Sequence, residues 1–227
     1  MSKLVLFDVD KTLIQGSKVK DNIAYPEAFK KVYGVDTNIE IIEHAGMTDQ
    51  QIMIDVLKKN GLNEKTIKSK LKECTEALID SFNKSIDSEE ILLMDGVKEL
   101  LEELNRNRVL MGLVTGNLEA IARTELKKAG IKQYFKIGGF GSDGFERTDL
   151  VRLAVKRAEE KFGFKFHNNV FIMGDTPRDI TAGKEAGIKT IGIATGNYSK
   201  KQLENAGADF VFEDLKGTDK VLRILLN

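Results

Sequence analysis

The chain has 227 residues, 41% of them hydrophobic, and its 35 Lys and Arg balance 35 Asp and Glu. That length suits one or two domains with a sizeable core, and zero net charge speaks against a nucleic acid or an acidic membrane held by bulk charge. No apolar run approaches the roughly 18 residues of a membrane helix. Asp8 and Asp10 interrupt the apolar N-terminal stretch, and the single cysteine, Cys74, has no partner for a disulfide. A soluble, cytoplasmic protein is expected, with no membrane and no nucleic-acid partner.

Leu4 to Phe7 reads as a short buried strand. Residues 15–94 then read as almost wholly helical. Pro26 suits the first turn of a helix running to Val32, and Thr48-Asp49 can start a second that ends at Lys58-Lys59-Asn60-Gly61. A longer helix is expected from Asn63 to Ile86, with Ile67, Leu71, Cys74, Leu78 and Phe82 on one face. Cys74 is expected there as buried filler.

From Asp95 strands and helices alternate. Helices are expected around Val97–Leu104, Leu118–Ala129, Leu150–Phe162, Ile180–Ala186, Ser199–Ala206 and Val221–Leu226. Strands are expected at Val109–Val114, Ile137–Phe140, Val170–Met173, Thr190–Ala194 and Phe210–Phe212. The pattern predicts an α/β fold: a Rossmann-like parallel sheet with helices on both faces. An inserted all-helical cap (15–94) would sit over a core domain made of 1–14 and 95–227. Ligands of such sheets bind at the carboxyl ends of the strands.

The candidate chemistry lies at those ends. After the first strand come Asp8 and Asp10, on one side of the chain by the two-residue period. Two adjacent carboxylates repel each other and lose water, penalties a divalent cation offsets. Thr115-Gly116-Asn117 follows the second strand and suits a phosphate-binding corner, or an ordinary helix start. Gly174-Asp175-Thr176-Pro177-Arg178-Asp179 places two acids one helical turn apart, where one can bind a metal and the other orient its surroundings. Arg147 is a cation just before a helix, with Arg152 and Lys156 as alternatives.

In this order the motifs resemble the haloacid dehalogenase-like hydrolase superfamily, mostly magnesium-dependent phosphatases, and the likeness runs nearly end to end. The resemblance implies a C1-type cap, as in phosphoglycolate phosphatases and β-phosphoglucomutases. It further implies Asp8 as nucleophile, forming an aspartyl-phosphate, and Asp10 as general acid and then base. Mg2+ would be held by Asp8, the Asp10 main-chain carbonyl and Asp175. Thr115, Gly116, Asn117 and Arg147 would hold the phosphoryl group, with Asp179 supporting the metal and Thr12 bracing the nucleophile loop. Asp10 itself argues against carbon–halogen chemistry. Two departures stand out: Arg147 where the family usually has lysine, and Lys11 where it usually has glycine.

In capped members one cap loop selects the substrate. Here the matching segment is Ala45–Asp49, with Gly46, Thr48 and Asp49 expected to face the leaving group, although Thr48 and Asp49 could equally cap the following helix. His44 is expected at the surface. The segment Ile14-Gln15-Gly16 lacks the acidic hinge common in phosphoglycolate phosphatases, which lowers that assignment. A Mg2+-dependent phosphatase acting on a small phosphomonoester leads the readings. A phosphosugar mutase, a phosphonate hydrolase using a cap lysine such as Lys58 or Lys59, and a non-catalytic phosphometabolite-binding module compete with it.

Overall fold

A computed structural model describes residues 3–167 and 169–226. Six parallel strands, β1 (Leu4–Phe7), β2 (Leu110–Thr115), β3 (Ile137–Phe140), β4 (Val170–Gly174), β5 (Lys189–Ile193) and β6 (Phe210–Phe212), lie in the order β3-β2-β1-β4-β5-β6. The two faces of β1 feed different apolar clusters. Leu4 and Leu6 pack with Val114, Ile172, Leu150 and Val151, while Val5 and Phe7 pack with Leu113, Met173, Leu101 and Leu104. Burial on both sides is why these strands read as continuous apolar runs.

Helices α1 (Tyr25–Tyr33), α2 (Asp49–Lys59), α3 (Glu64–Ser69) and α4 (Leu71–Ser85) lie between β1 and β2, followed by α5 (Val97–Arg106). The chain then alternates through α6 (Glu119–Lys128), α7 (Arg147–Phe162), α8 (Pro177–Glu185), α9 (Lys200–Asn205) and α10 (Thr218–Leu226). The two segments that lead into and out of the four-helix insertion pair with each other. Met94 N–H donates to Leu13 O at 3.0 Å and Gln15 N–H to Leu92 O at 2.9 Å, so both crossings form one narrow neck. Among the described residues no helix is long and apolar enough to cross a membrane.

Pro26 lies in the first turn of α1, as expected, but the chain is already wound before it: a π-helical turn, Lys20–Ala24, leads into α1 and is closed by Tyr25 N–H on Lys20 O. Proline has no N–H for the next rung, and the ladder widens just before it. The helix expected over 63–86 is broken at Lys70 (φ −117°, ψ 8°), where α3 ends and α4 begins. Ile67 and Leu71 are both buried across the break, so the apolar spacing shows no interruption. Cys74 is buried as expected.

Candidate active site

The strands end level. Phe7 lies opposite Leu113 on one side and Met173 on the other. Asp8, Thr115 and Asp175 therefore emerge together at the carboxyl edge, where a doubly wound sheet opens its crevice. They line a cavity of about 640 Å3, with Lys20, Asp49 and Arg147 in its wall.

Asp8, Asp175 and Asp179 form an acidic cluster whose carboxylate oxygens lie within 4.8 Å of one another. All three are buried. Burial pushes the Asp8 carboxyl well above the usual range, with Arg147 opposing, and burial and then Asp179 push Asp175 up to about 7. Glycines admit this crowding: a Cβ at Gly174 would overlap the Asp179 carboxylate, and one at Gly196 would overlap Asp175 Oδ2. Thr12, fully buried, reaches Asp175 Oδ1 at 3.5 Å. Thr176 caps α8, and Asp179 accepts from its N–H at 3.1 Å and its hydroxyl at 2.7 Å.

The cation of the cluster is Arg147. It is the first residue of α7, which begins three residues before the expected Leu150. Its Nη2 is bonded to Asp8 Oδ1 and lies 2.6 Å from Asp179 Oδ1. Nη1 donates to Gly46 O at 3.3 Å, tying the cap loop to the site. Burial would lower its pKa, but Asp179 and Asp8 outweigh that and raise it. Arg152 and Lys156 instead face solvent, paired with Asp149 and Glu160.

Asp10 stands apart from the cluster. Its Oδ2 accepts from Lys20 Nζ at 3.2 Å and Asn117 Nδ2 at 3.0 Å. Burial opposes ionisation of Asp10, yet Lys20 and Asn117 outweigh it and lower its pKa. Thr115 Oγ1 accepts from Asn117 N–H at 3.1 Å, shaping the corner. Gly116 is pressed against the cap loop: a Cβ there would overlap Met47 O, and Gly116 O accepts from Asp49 N–H at 2.8 Å.

Ala45, Gly46, Met47 and Asp49 of the cap segment line the same cavity; Thr48 is not in its lining. Gly46 has a left-handed backbone (φ +71°) and packs against Thr176 and Arg178. Thr48 caps α2 in a reciprocal pair with Gln51. The Asp49 carboxylate accepts from Tyr25 Oη at 2.6 Å and from Leu118 N–H at 2.8 Å. His44 is also in the cavity wall, its Nε2 4.0 Å from Glu40. Lys11, where glycine is usual, has φ +60° and is exposed.

Sequence reasoning missed Lys20 and Glu125. Lys20 is 6% exposed and also donates to Asn117 Oδ1 at 2.8 Å. Glu125 is fully buried beside Asn117 Nδ2 (3.4 Å), with Oε1 unpartnered; burial and Asp10 push its carboxyl well up. Each carried a signal. Lys20 shares the inward face of Ala24 and Ala28, and Glu125 that of Ile121 and Ala122: charges at helical spacing on apolar faces.

The sequence pattern of the haloacid dehalogenase-like hydrolase family matches residues 5–193. A phosphoglycolate phosphatase of Vibrio parahaemolyticus is 27% identical, covering 98% of this chain and 96% of its own. The pyrophosphatase PpaX of Oceanobacillus iheyensis is 23% identical over 94% of each. In fold, the chain is similar to a hydrolase from Pseudomonas syringae (TM-score 0.72, 20% identity, 99% of each chain). It is also similar to CbbY from Rhodobacter sphaeroides, solved with phosphate (TM-score 0.73, 19% identity, 95% and 96%). With a match across most of its length and the motifs gathered at one sheet edge, the chain belongs to the haloacid dehalogenase-like hydrolase family.

Proposed function

We propose that this hydrolase cleaves a small phosphate monoester in two steps through an aspartyl-phosphate, with Mg2+ bound at the acidic cluster. The protein is a phosphatase, a phosphoric monoester hydrolase of its family. One observation carries the mechanistic reading: Asp8 lies among the clustered acids and Arg147, while Asp10 is held separately by Lys20 and Asn117.

The residues fit a hard cation. Asp8, Asp175 and Asp179 supply only oxygen donors, and Asp179 Oδ1, which makes no hydrogen bond, is held by charge alone, 2.6 Å from Arg147 Nη2. We assign Asp8 and Asp175 as side-chain ligands, the Asp10 main-chain carbonyl as a third, and Asp179 as their support. Bound there, Mg2+ supplies positive charge that offsets the carboxylates and the transferring phosphoryl oxygens.

Asp8 is the nucleophile: a carboxylate oxygen forms a bond to phosphorus while the bond to the leaving oxygen breaks. Arg147 faces the charge that accumulates on the phosphoryl group, and the Thr115 hydroxyl with the Gly116–Asn117 corner orients it. Asp10 hands a proton to the leaving oxygen. In the second step it takes a proton from water as that water attacks phosphorus and frees Asp8. Lys20 and Asn117 favour the ionised form of Asp10 that this second step needs.

We assign residues 15–94 as the cap and residues 1–14 with 95–227 as the core. The loop at Gly46 and Asp49 forms the leaving-group wall, with Thr48 capping α2 outside the cavity lining and Asp49 holding the loop in place through Tyr25 and Leu118. The relatives' names make phosphoglycolate and pyrophosphate reasonable first substrates.

The test is phosphate release from a panel of phosphoglycolate, hexose phosphates, nucleoside monophosphates and p-nitrophenyl phosphate, with Mg2+ and with chelator. Turnover that needs Mg2+ and disappears in Asp8→Asn is expected. Equal turnover in parent and Asp8→Asn would sink the mechanism. Isomerisation of a hexose phosphate without phosphate release would instead favour a mutase.

A further inference from the structure

We propose that Lys20 reads the leaving group, and that the preferred substrate, a phosphate ester or anhydride, carries a second anionic group, a carboxylate or a phosphoryl, close to the oxygen that leaves phosphorus; this rests on the phosphatase reading above. Lys20 reaches the site from the π-helical turn of the cap, 6% exposed. Burying an ammonium is costly unless it is well paired. The apolar helix face around it, with Ala24 and Ala28, gives no packing reason for a charge.

An ammonium has three N–H donors. Two are accounted for, on Asp10 Oδ2 at 3.2 Å and Asn117 Oδ1 at 2.8 Å. Among the described residues no third acceptor lies within hydrogen-bonding reach, and Lys20 lines the cavity. Nearby Asp49 is not available, since its oxygens are bonded to Tyr25 and Leu118. The remaining donor is therefore offered to whatever enters.

The position tells which part of the substrate it meets. The phosphoryl group falls to Asp8, Arg147 and Thr115. Lys20 bonds to none of these and stands against Asp10, the residue facing the leaving oxygen. A group accepting from Lys20 Nζ therefore lies two or three bonds beyond that oxygen. A carboxylate on the adjacent carbon or a second phosphoryl on the same oxygen reaches it, whereas a neutral leaving group leaves a buried donor unmet. Sites built around such a donor reject the analogue that lacks the acceptor.

Three ligands separate the cases: phosphoglycolate (carboxylate), inorganic pyrophosphate (second phosphoryl) and 2-hydroxyethyl phosphate (neutral, of similar length). Parent enzyme is expected to prefer at least one anionic compound over the neutral ester by about tenfold or more in kcat/KM. In Lys20→Met that ratio is expected to fall about tenfold, mainly through KM, with part of it regained in Lys20→Arg. Calorimetric affinities of Asp8→Asn for the same three ligands should show the same order without turnover, whether or not Lys20→Met folds. Parent cleavage of all three without preference, an unchanged ratio in folded Lys20→Met, or equal affinities in Asp8→Asn would overturn the role of Lys20 and leave the phosphatase standing. If the parent cleaves none of a broader ester panel and Asp8→Asn binds none, the phosphatase reading fails first.

Discussion

Asp49, on the first turn of a cap helix, accepts a hydrogen bond at 2.8 Å from the N–H of Leu118, the residue that precedes core helix α6. Leu118 has no side-chain oxygen with which to cap its own helix. The Leu118 amide at that end is thus served from the other side of the cavity, while the next, Glu119 N–H, donates to Ser142 Oγ at 3.3 Å. Tyr25 Oη holds the second Asp49 oxygen at 2.6 Å, and Gln50 Nε2 donates to Gly141 O at 2.5 Å beside it. Four helices joined to the core by a narrow neck are in this way fastened to the loop we assign to the phosphoryl group.

Breaking that fastening has a definite cost. Asp49→Ala leaves the Leu118 N–H and the buried Tyr25 hydroxyl without their acceptor, which costs about 1–3 kcal/mol. Urea unfolding should show that loss, and limited proteolysis should cut the neck around residues 15 and 92 faster. Asp49→Asn keeps an acceptor for Leu118 and should lose less. Unfolding midpoints indistinguishable from the parent in both variants would refute the fastening.

Arg147 is the second relationship open to test. Its guanidinium spans Asp8, Asp179 and the Gly46 carbonyl at once, which a lysine point charge cannot copy. Arg147→Lys should therefore keep measurable turnover but lower kcat by roughly tenfold. Arg147→Ala removes the charge we assign to the phosphoryl group and should lower kcat by about 100-fold or more. An alanine variant as active as the lysine variant would remove Arg147 from the reaction.

How much of this was legible beforehand depended on the length scale of the signal. Strand ends followed by acids are local, so the places of Asp8, Thr115 and Asp175 could be read from spacing alone. The parallel order of the strands follows from their alternation with helices. Lys20 and Glu125 were hidden because their meaning is tertiary: each is one charge on an apolar helix face, and only the fold brings both to Asn117. The π-helical turn that aims Lys20 was obscured by Pro26, which marks the first turn of α1 and gives no sign of the wider turn before it. Asp49 could be read as a helix-start residue, but its service to another helix depends on where the cap closes.

Lys11 offers a stability test. It occupies the left-handed region (φ +60°), where a side chain with Cβ costs roughly 1–2 kcal/mol relative to glycine. Its side chain is exposed, and its main chain does the bonding: Lys11 N–H donates to Ile14 O at 2.7 Å and Lys11 O accepts from Thr195 Oγ1 at 2.5 Å. Lys11→Gly keeps those bonds and relieves the backbone, while the greater freedom of glycine in the unfolded chain takes back part of the gain. A net stabilisation of about 0.5–1 kcal/mol is expected in urea unfolding. A variant less stable than the parent would mean that the lysine side chain contributes more than its exposure suggests.

The acidic cluster makes the metal-free protein sensitive to pH, and the sign follows from Asp175. Burial and Asp179 raise its carboxyl from 3.8 to about 7. Between those values the folded chain holds a proton that the unfolded chain has released. Stability therefore falls as pH rises through that window. Asp8 is raised as well and adds in the same direction. Asp10, whose pKa is lowered, contributes stability that is lost only as pH drops below its ordinary value, outside the window. Metal-free protein should thus melt on the order of 5 °C lower at pH 8 than at pH 5.5. Mg2+ added at pH 8 should recover more of the melting temperature than at pH 5.5, because at the higher pH the cation need not displace the Asp175 proton. Scanning calorimetry with and without Mg2+ at the two values measures both. Asp175→Asn should reduce the pH dependence, leaving the part due to Asp8, and weaken the Mg2+ response with it; a variant that keeps the full Mg2+ shift would show that the cation binds elsewhere.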